Sequence, residues 1–151
     1  MEVSPLNKFL FWFINSEILD LKLSKITKFF ILNSWPFSHK KMKLPNGDQA
    51  NLGDKLERYC LNPEHSKGKH KALLFEKRLG ITLSNKEILK NSLKKAAIEG
   101  EAELYKSDQY GTHYDLIFTL ETELGKSLIL SCWIIRITES FPRLTNTYPI
   151  D

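Results

Sequence analysis

The sequence predicts an α+β domain in which N-terminal helices pack on a four-stranded antiparallel meander sheet. Three observations carry this expectation. Apolar residues recur at helical spacing up to Gly100 and then switch to a period of two. The alternating half is cut by the short turn segments SDQYG, TELG and TESFP, which suit hairpins. Helical patterns followed by a run of strands give an α+β layout with helices over one sheet face.

Taken in chain order, residues 1–41 stand apart as an aromatic-rich arm, with FLFWFI and KFFILNSW flanking NSEILDLKLSKIT. The middle piece allows an amphipathic helix. Three readings of the arm stay open: a helix that packs on the domain or a partner, a membrane-surface anchor, and a translated upstream stretch with no native role. The last follows from Met42, which opens MKLPNGDQANL like a natural start. A secretory signal is a poor match, because Glu17 and Asp20 follow the apolar island.

Residues 42–151 read as a single α+β domain. Pro45, Asn46 and Gly47 mark a turn-rich entry. DKLERYCL predicts a short helix capped by Asp54 and stopped at Asn62–Pro63, since a residue before proline avoids the α region. A second helix is expected over about Lys69–Leu79, with Ala72, Phe75 and Leu79 inward and Gly80 as its stop. A third is expected from Ser84, with Ser84 and Glu87 as a capping box and Ile88, Leu89, Leu93, Ala96 and Ala97 inward. Strands are expected at Glu101–Lys106, Thr112–Glu121, Ser127–Thr138 and Leu144–Ile150. On the third of these, Trp133 shares the core face, while Arg136 projects to the other side, where a ligand could lie.

Composition narrows the function classes. The chain has 151 residues, enough for one domain with a real core. No apolar run approaches the ~18 residues of a membrane helix. Cys60 and Cys132 make no disulfide framework and fit a reducing, cytoplasmic setting. The net charge is +4, but residues 1–41 hold six lysines against Glu2, Glu17 and Asp20. The body is therefore nearly neutral, and an anion site must come from local clustering.

Such a cluster lies in YCLNPEHSKGKHKALLF, from Tyr59 to Phe75. Lys67, Lys69, His70 and Lys71 stand at a helix N-terminus, where positive charge opposes the helix dipole. A bound anion would reverse that cost, with Gly68 leaving the backbone open to it. A solvated basic face is the plainer reading. His65 and His70 have the chemistry for proton exchange near neutral pH; equally, His65 suits a loop cap and His70 an exposed helix position. Cys60, His65 and His70 match no common zinc spacing, so no metal or other cofactor is expected. Arg143 and Thr145 flank the last strand and suit either the site or the sheet edge.

The order LPN, YCLNPEH, GKHKA, LG, DQYG, WIIR and FPRL resembles the domain-of-unknown-function family six-eight-eight-three. The likeness runs from about Met42 to Tyr148 and is most specific over Asn62–Ala72. Members are small bacterial domains that occur alone, often beside a short partner reading frame, or as C-terminal tips of polymorphic toxins. Their layout is similar to the barnase–EndoU–colicin–RelE-like ribonucleases, a likeness at fold level alone. It implies metal-independent cleavage of RNA by its own 2′-hydroxyl, and a small antitoxin or immunity protein as partner. On that reading His70 is base or acid, His65 its counterpart and Arg136 a catalytic cation, while Lys67, Lys69, Lys71 and Arg143 hold phosphate. Two positions depart from the family pattern: Leu130 stands where a basic residue is usual, and Ser66 where proline is. The alternative is a non-catalytic module that binds RNA, a phosphorylated ligand or a protein.

Overall fold

The computed structural model describes residues 40–151. Their element order is β1 (Lys41–Met42), a 3-10 turn (Gly47–Gln49), a π-helical turn (Leu56–Cys60), α1 (Lys69–Leu79), a 3-10 turn (Leu83–Asn85) and α2 (Glu87–Glu99). Then come β2 (Ala102–Asp108), β3 (Gly111–Glu121), β4 (Lys126–Arg136) and β5 (Arg143–Pro149). The class is α+β, as expected, but the sheet has five antiparallel strands rather than four, in the order β1-β2-β3-β4-β5. The added strand, β1, precedes the helices and pairs Lys41 with Glu103 and Met42 with Ala102. Helices therefore do not open the described fold, and Lys41, assigned above to the arm, belongs to the sheet. The helix expected within Asn15–Thr27 lies outside the described residues.

Local chemistry explains the helix ends. Gly80 closes α1 in the left-handed region at φ 65, where an L side chain is strained, and its N–H donates to Glu76 O. The capping box expected at Ser84 and Glu87 lies two residues earlier. The Thr82 hydroxyl accepts from the Ser84 N–H at 3.3 Å, and Asn85 Oδ1 accepts from the Thr82 N–H at 2.7 Å. This pair caps the 3-10 turn, and α2 begins only at Glu87. Asp54 does not act as a side-chain cap either; it pairs with Arg58 at 3.0 Å. The inward set of α2 is Leu89, Leu93, Ala96 and Ala97, whereas Ile88 is exposed.

One sheet face carries the core. Tyr114 pairs with Trp133, Leu116 with Ser131 and Phe118 with Ile129. Trp133, Leu116 and Ile129 are fully buried with Phe75, Leu79, Leu89 and Leu93. The Trp133 indole donates to Ser131 Oγ at 2.9 Å, and that hydroxyl donates to Leu116 O at 3.0 Å. The Trp133 N–H and the Ser131 hydroxyl are thus both hydrogen-bonded, which offsets the desolvation cost of placing them in the core.

The opposite face is open and stepped in rows by the strand register. One row holds Asp115, Cys132 and Asn146; the next holds Ile117, Leu130 and Tyr148. In the row beyond, Thr119 pairs with Leu128, whose carbonyl accepts from the Ile150 N–H. In β5, an extra residue, Thr145, lies between the partners of Cys132 and Trp133.

Candidate functional site

The predicted basic cluster is divided by α1 into two groups. At ~100° per residue, Lys71 lies on one flank of the buried stripe, and Lys69, Leu73 and Glu76 lie on the other. Lys69 and His70 border an open groove of about 440 Å³ with Leu61, Pro63, Leu73 and Leu83. Lys71 turns away from that groove toward the open sheet face.

There Lys71 is firmly placed. Its ammonium donates to the Tyr59 hydroxyl at 2.7 Å and to Asn146 Oδ1 at 2.9 Å. It also lies 4.2 Å from the Tyr59 ring centroid and 5.4 Å from that of Tyr148, within cation–π range. Among the described residues Lys71 forms no ion pair with a carboxylate. Asp115 shares the face but sits two strands from Asn146, roughly 10 Å away by strand spacing. The direct partners of this half-buried cation are thus neutral acceptors and aromatic rings.

The Tyr59 turn sets this geometry. Leu56 and Cys60 point into the core, which turns Tyr59 outward beside α1. Gly68 is buried against it, and a Cβ there would lie 2.0 Å from the Tyr59 carbonyl oxygen. Gly68 thus permits close packing of two backbone segments, rather than opening the backbone to a guest. Substituting any other residue would push the turn and the helix start apart.

His65 takes the capping role. Its Nδ1 accepts from the Lys67 N–H at 3.2 Å and the Gly68 N–H at 3.0 Å, and its ring meets Tyr59 edge-on with centroids 4.9 Å apart. The Lys69 N–H donates to His65 O at 3.0 Å. Three of the N–H groups expected to face an anion are therefore engaged within the loop. With Nδ1 as acceptor, the neutral ring carries its proton on Nε2 and offers only a donor there. That arrangement suits a structural cap and gives no proton-accepting nitrogen to a substrate. His70 is exposed on the far flank from Lys71, so the two histidines do not form an acid–base pair across one pocket.

The arginines fall elsewhere. Arg143 makes a two-pronged contact with Glu139, Nε to Oε2 at 2.6 Å and Nη2 to Oε1 at 2.8 Å, and lies 4.8 Å from the Phe141 ring centroid. Its guanidinium is committed to this turn, with Glu139 held below the usual carboxylate range by Arg143. Arg136 is exposed, with one long contact of 3.9 Å to Glu139. It shares the face of Cys132 but stands four residues along the strand, roughly 13 Å away. Lys67 is exposed.

Neither cysteine is poised as a nucleophile. Burial raises the Cys60 thiol above its ordinary value. Burial first, and the charge of Asp115 second, push Cys132 up to about 12. Among the described residues no cluster of three or more His, Cys, Asp or Glu side chains could hold a metal ion, and no described helix is long and apolar enough to cross a membrane.

Sequence reading reached Lys71 but missed Tyr59, Asn146 and Tyr148. Tyr59 sat inside the quoted stretch, although nothing local marked it; Asn146 is 75 residues from Lys71. No curated protein and no solved structure matches the chain. A family model does, over residues 43–151, which is the span that forms the α1 loop, strands β2 to β5 and the Lys71 site. The chain therefore belongs to the family described as Domain of unknown function (DUF6883).

Proposed function

We propose that this domain binds RNA on its open sheet face, with the phosphate backbone held at Lys71. The observation that carries the reading is the Lys71 ammonium, oriented by Tyr59 and Asn146 and left without an anionic partner among the described residues. Phosphate contacts supply most sequence-independent affinity for nucleic acids. Two tyrosine rings beside the cation add surfaces suited to bases or riboses. Arg136 is a further, exposed cation on the same face, roughly 13 Å along the strand from the Cys132 row.

A second reading is a toxin-like, metal-independent endoribonuclease, neutralised by an antitoxin or immunity partner. One feature favours it: the Tyr59 hydroxyl, a group able to transfer a proton, lies 2.7 Å from the Lys71 ammonium proposed to hold the phosphate. In this form of the reading Tyr59 and Lys71 carry the chemistry, and His65 holds the loop.

Full-length protein is incubated with total RNA in chelator, with filter retention and gel electrophoresis as readouts. Wild type is compared with Lys71→Ala, Tyr59→Phe and Arg136→Ala. The binding reading expects intact RNA retained by wild type and largely released by Lys71→Ala. Cleavage that persists in chelator and falls by a hundredfold or more in Tyr59→Phe would establish the enzyme instead. RNA neither retained nor cut contradicts both.

A further inference from the structure

We infer that the nucleic acid this face takes is single-stranded RNA laid along the strands, with unstacked bases on the row formed by Ile117, Leu130 and Tyr148. The inference rests on the RNA reading of Lys71 and adds the class of substrate. Three features of the face point to it.

Spacing comes first. Lys71 is fixed at the row of Asn146 and Cys132, and the row of Tyr148 and Leu130 is two residues further along the same strands. Two residues of antiparallel strand span roughly 6.8 Å. That is about twice the 3.4 Å rise per nucleotide of a stacked duplex strand. A phosphate on Lys71 with its base on the next row, and a further base on the row after that, requires a chain pulled out of stacking. A duplex would meet the face only at its backbone.

The character of the rows is the second feature. Beyond Lys71 the face turns apolar: Ile117 is 52% exposed, Leu128 41% and Ile150 42%, with Leu130 and Tyr148 half-buried between them. Apolar surface offered to solvent beside a fixed cation suits ligands that are charged on one side and flat and apolar on the other. Leu130 extends the apolar row between Ile117 and Tyr148, so phosphate recognition is concentrated at Lys71.

The third is continuity. The Tyr148 ring lies within 5.4 Å of the Lys71 ammonium, so the phosphate position and the first base position adjoin. Splayed bases on aromatic rings are the usual mode of single-strand recognition on sheets.

Full-length protein is titrated with a fluorescent single-stranded RNA of mixed sequence, and with the same strand annealed to its complement, at one salt concentration. We expect the single strand to bind at least tenfold more tightly. Tyr148→Ala should weaken single-strand binding roughly tenfold, the effect of losing one stacked base, and weaken it more than duplex binding. Ile117→Glu, at an exposed position that tolerates a polar side chain, should weaken it by a similar factor and guards against a folding defect in the first variant. Circular dichroism checks both. Equal or tighter binding of the duplex, or single-strand binding untouched by both variants, overturns the inference while leaving RNA binding at Lys71 in place. Absence of binding to either RNA overturns the RNA reading itself, and this inference with it.

Discussion

Gly68 and the carbonyl of Tyr59 pack so closely that a Cβ at position 68 would approach the oxygen to 2.0 Å. This contact fastens the start of α1 to the turn that presents Tyr59, and so fixes Lys71 between Tyr59 and Asn146. Gly68→Ala should destabilise the protein by about 1–3 kcal/mol, the usual cost of overpacking. Chemical denaturation measures it; an unchanged midpoint would show that the turn yields freely.

His65 is a cap in this account, so an acceptor at position 65 matters more than an imidazole. His65→Ala should cost about 1 kcal/mol, comparable with losing a helix N-cap. His65→Asn, which keeps an acceptor of similar reach, should recover part of that loss. RNA binding measured in parallel should follow the stability of the loop and survive in His65→Asn. Recovery of neither property would favour a direct role for the ring.

Acid sensitivity has a defined source at Glu57. Its Oε1 lies 3.1 Å from Lys86 Nζ and 2.9 Å from Lys90 Nζ. The contact with Lys90 is the largest cause that lowers its carboxyl from 4.5 to about 2. A group depressed on folding stabilises the native state above its unfolded pKa and loses that contribution as pH falls through the folded value. Stability should therefore decline from about pH 4.5 towards pH 2. Glu57→Gln should be less stable at pH 7 and show a shallower decline over that window. A variant with the same acid slope as wild type would remove Glu57 as its source.

Trp133 ties the core to the sheet through the Ser131 hydroxyl. Trp133→Phe loses volume and leaves that hydroxyl without its donor, so a loss of about 1–3 kcal/mol is expected in a denaturant titration. Ser131→Ala in the same background should then add little, because the two residues act as one unit. Full additivity would mean that the chain of contacts carries no coupling.

Much of the fold was legible because its signals are local. SLILSCW alternates in burial, Gly80 stops α1 as its type suggests, and Ala72, Phe75 and Leu79 mark the buried stripe. The fifth strand was not legible: two residues carry no period, and their partners Ala102 and Glu103 lie about 60 residues away. The cap was displaced because Thr82 and Asn85 satisfy each other ahead of Ser84 and Glu87. In the site, residue type identified a basic helix start, but only the fold could separate Lys71 from Lys69 and His70. The partners that orient Lys71 come from a turn and from the last strand, with no shared motif. The resemblance implies a phosphate ligand at Arg143, whose sequence gives no sign that Glu139, four residues earlier, occupies it.

The salt dependence of single-stranded RNA binding, for wild type beside Lys71→Ala, reaches the central claim most directly. An ammonium that holds one phosphate should leave its mark on both affinity and slope. The account predicts weaker binding by Lys71→Ala and a slope of log K against log salt shallower by about 0.7, the value for one phosphate on a single strand. Identical affinities and parallel slopes would show that no phosphate sits at Lys71, and would contradict the account.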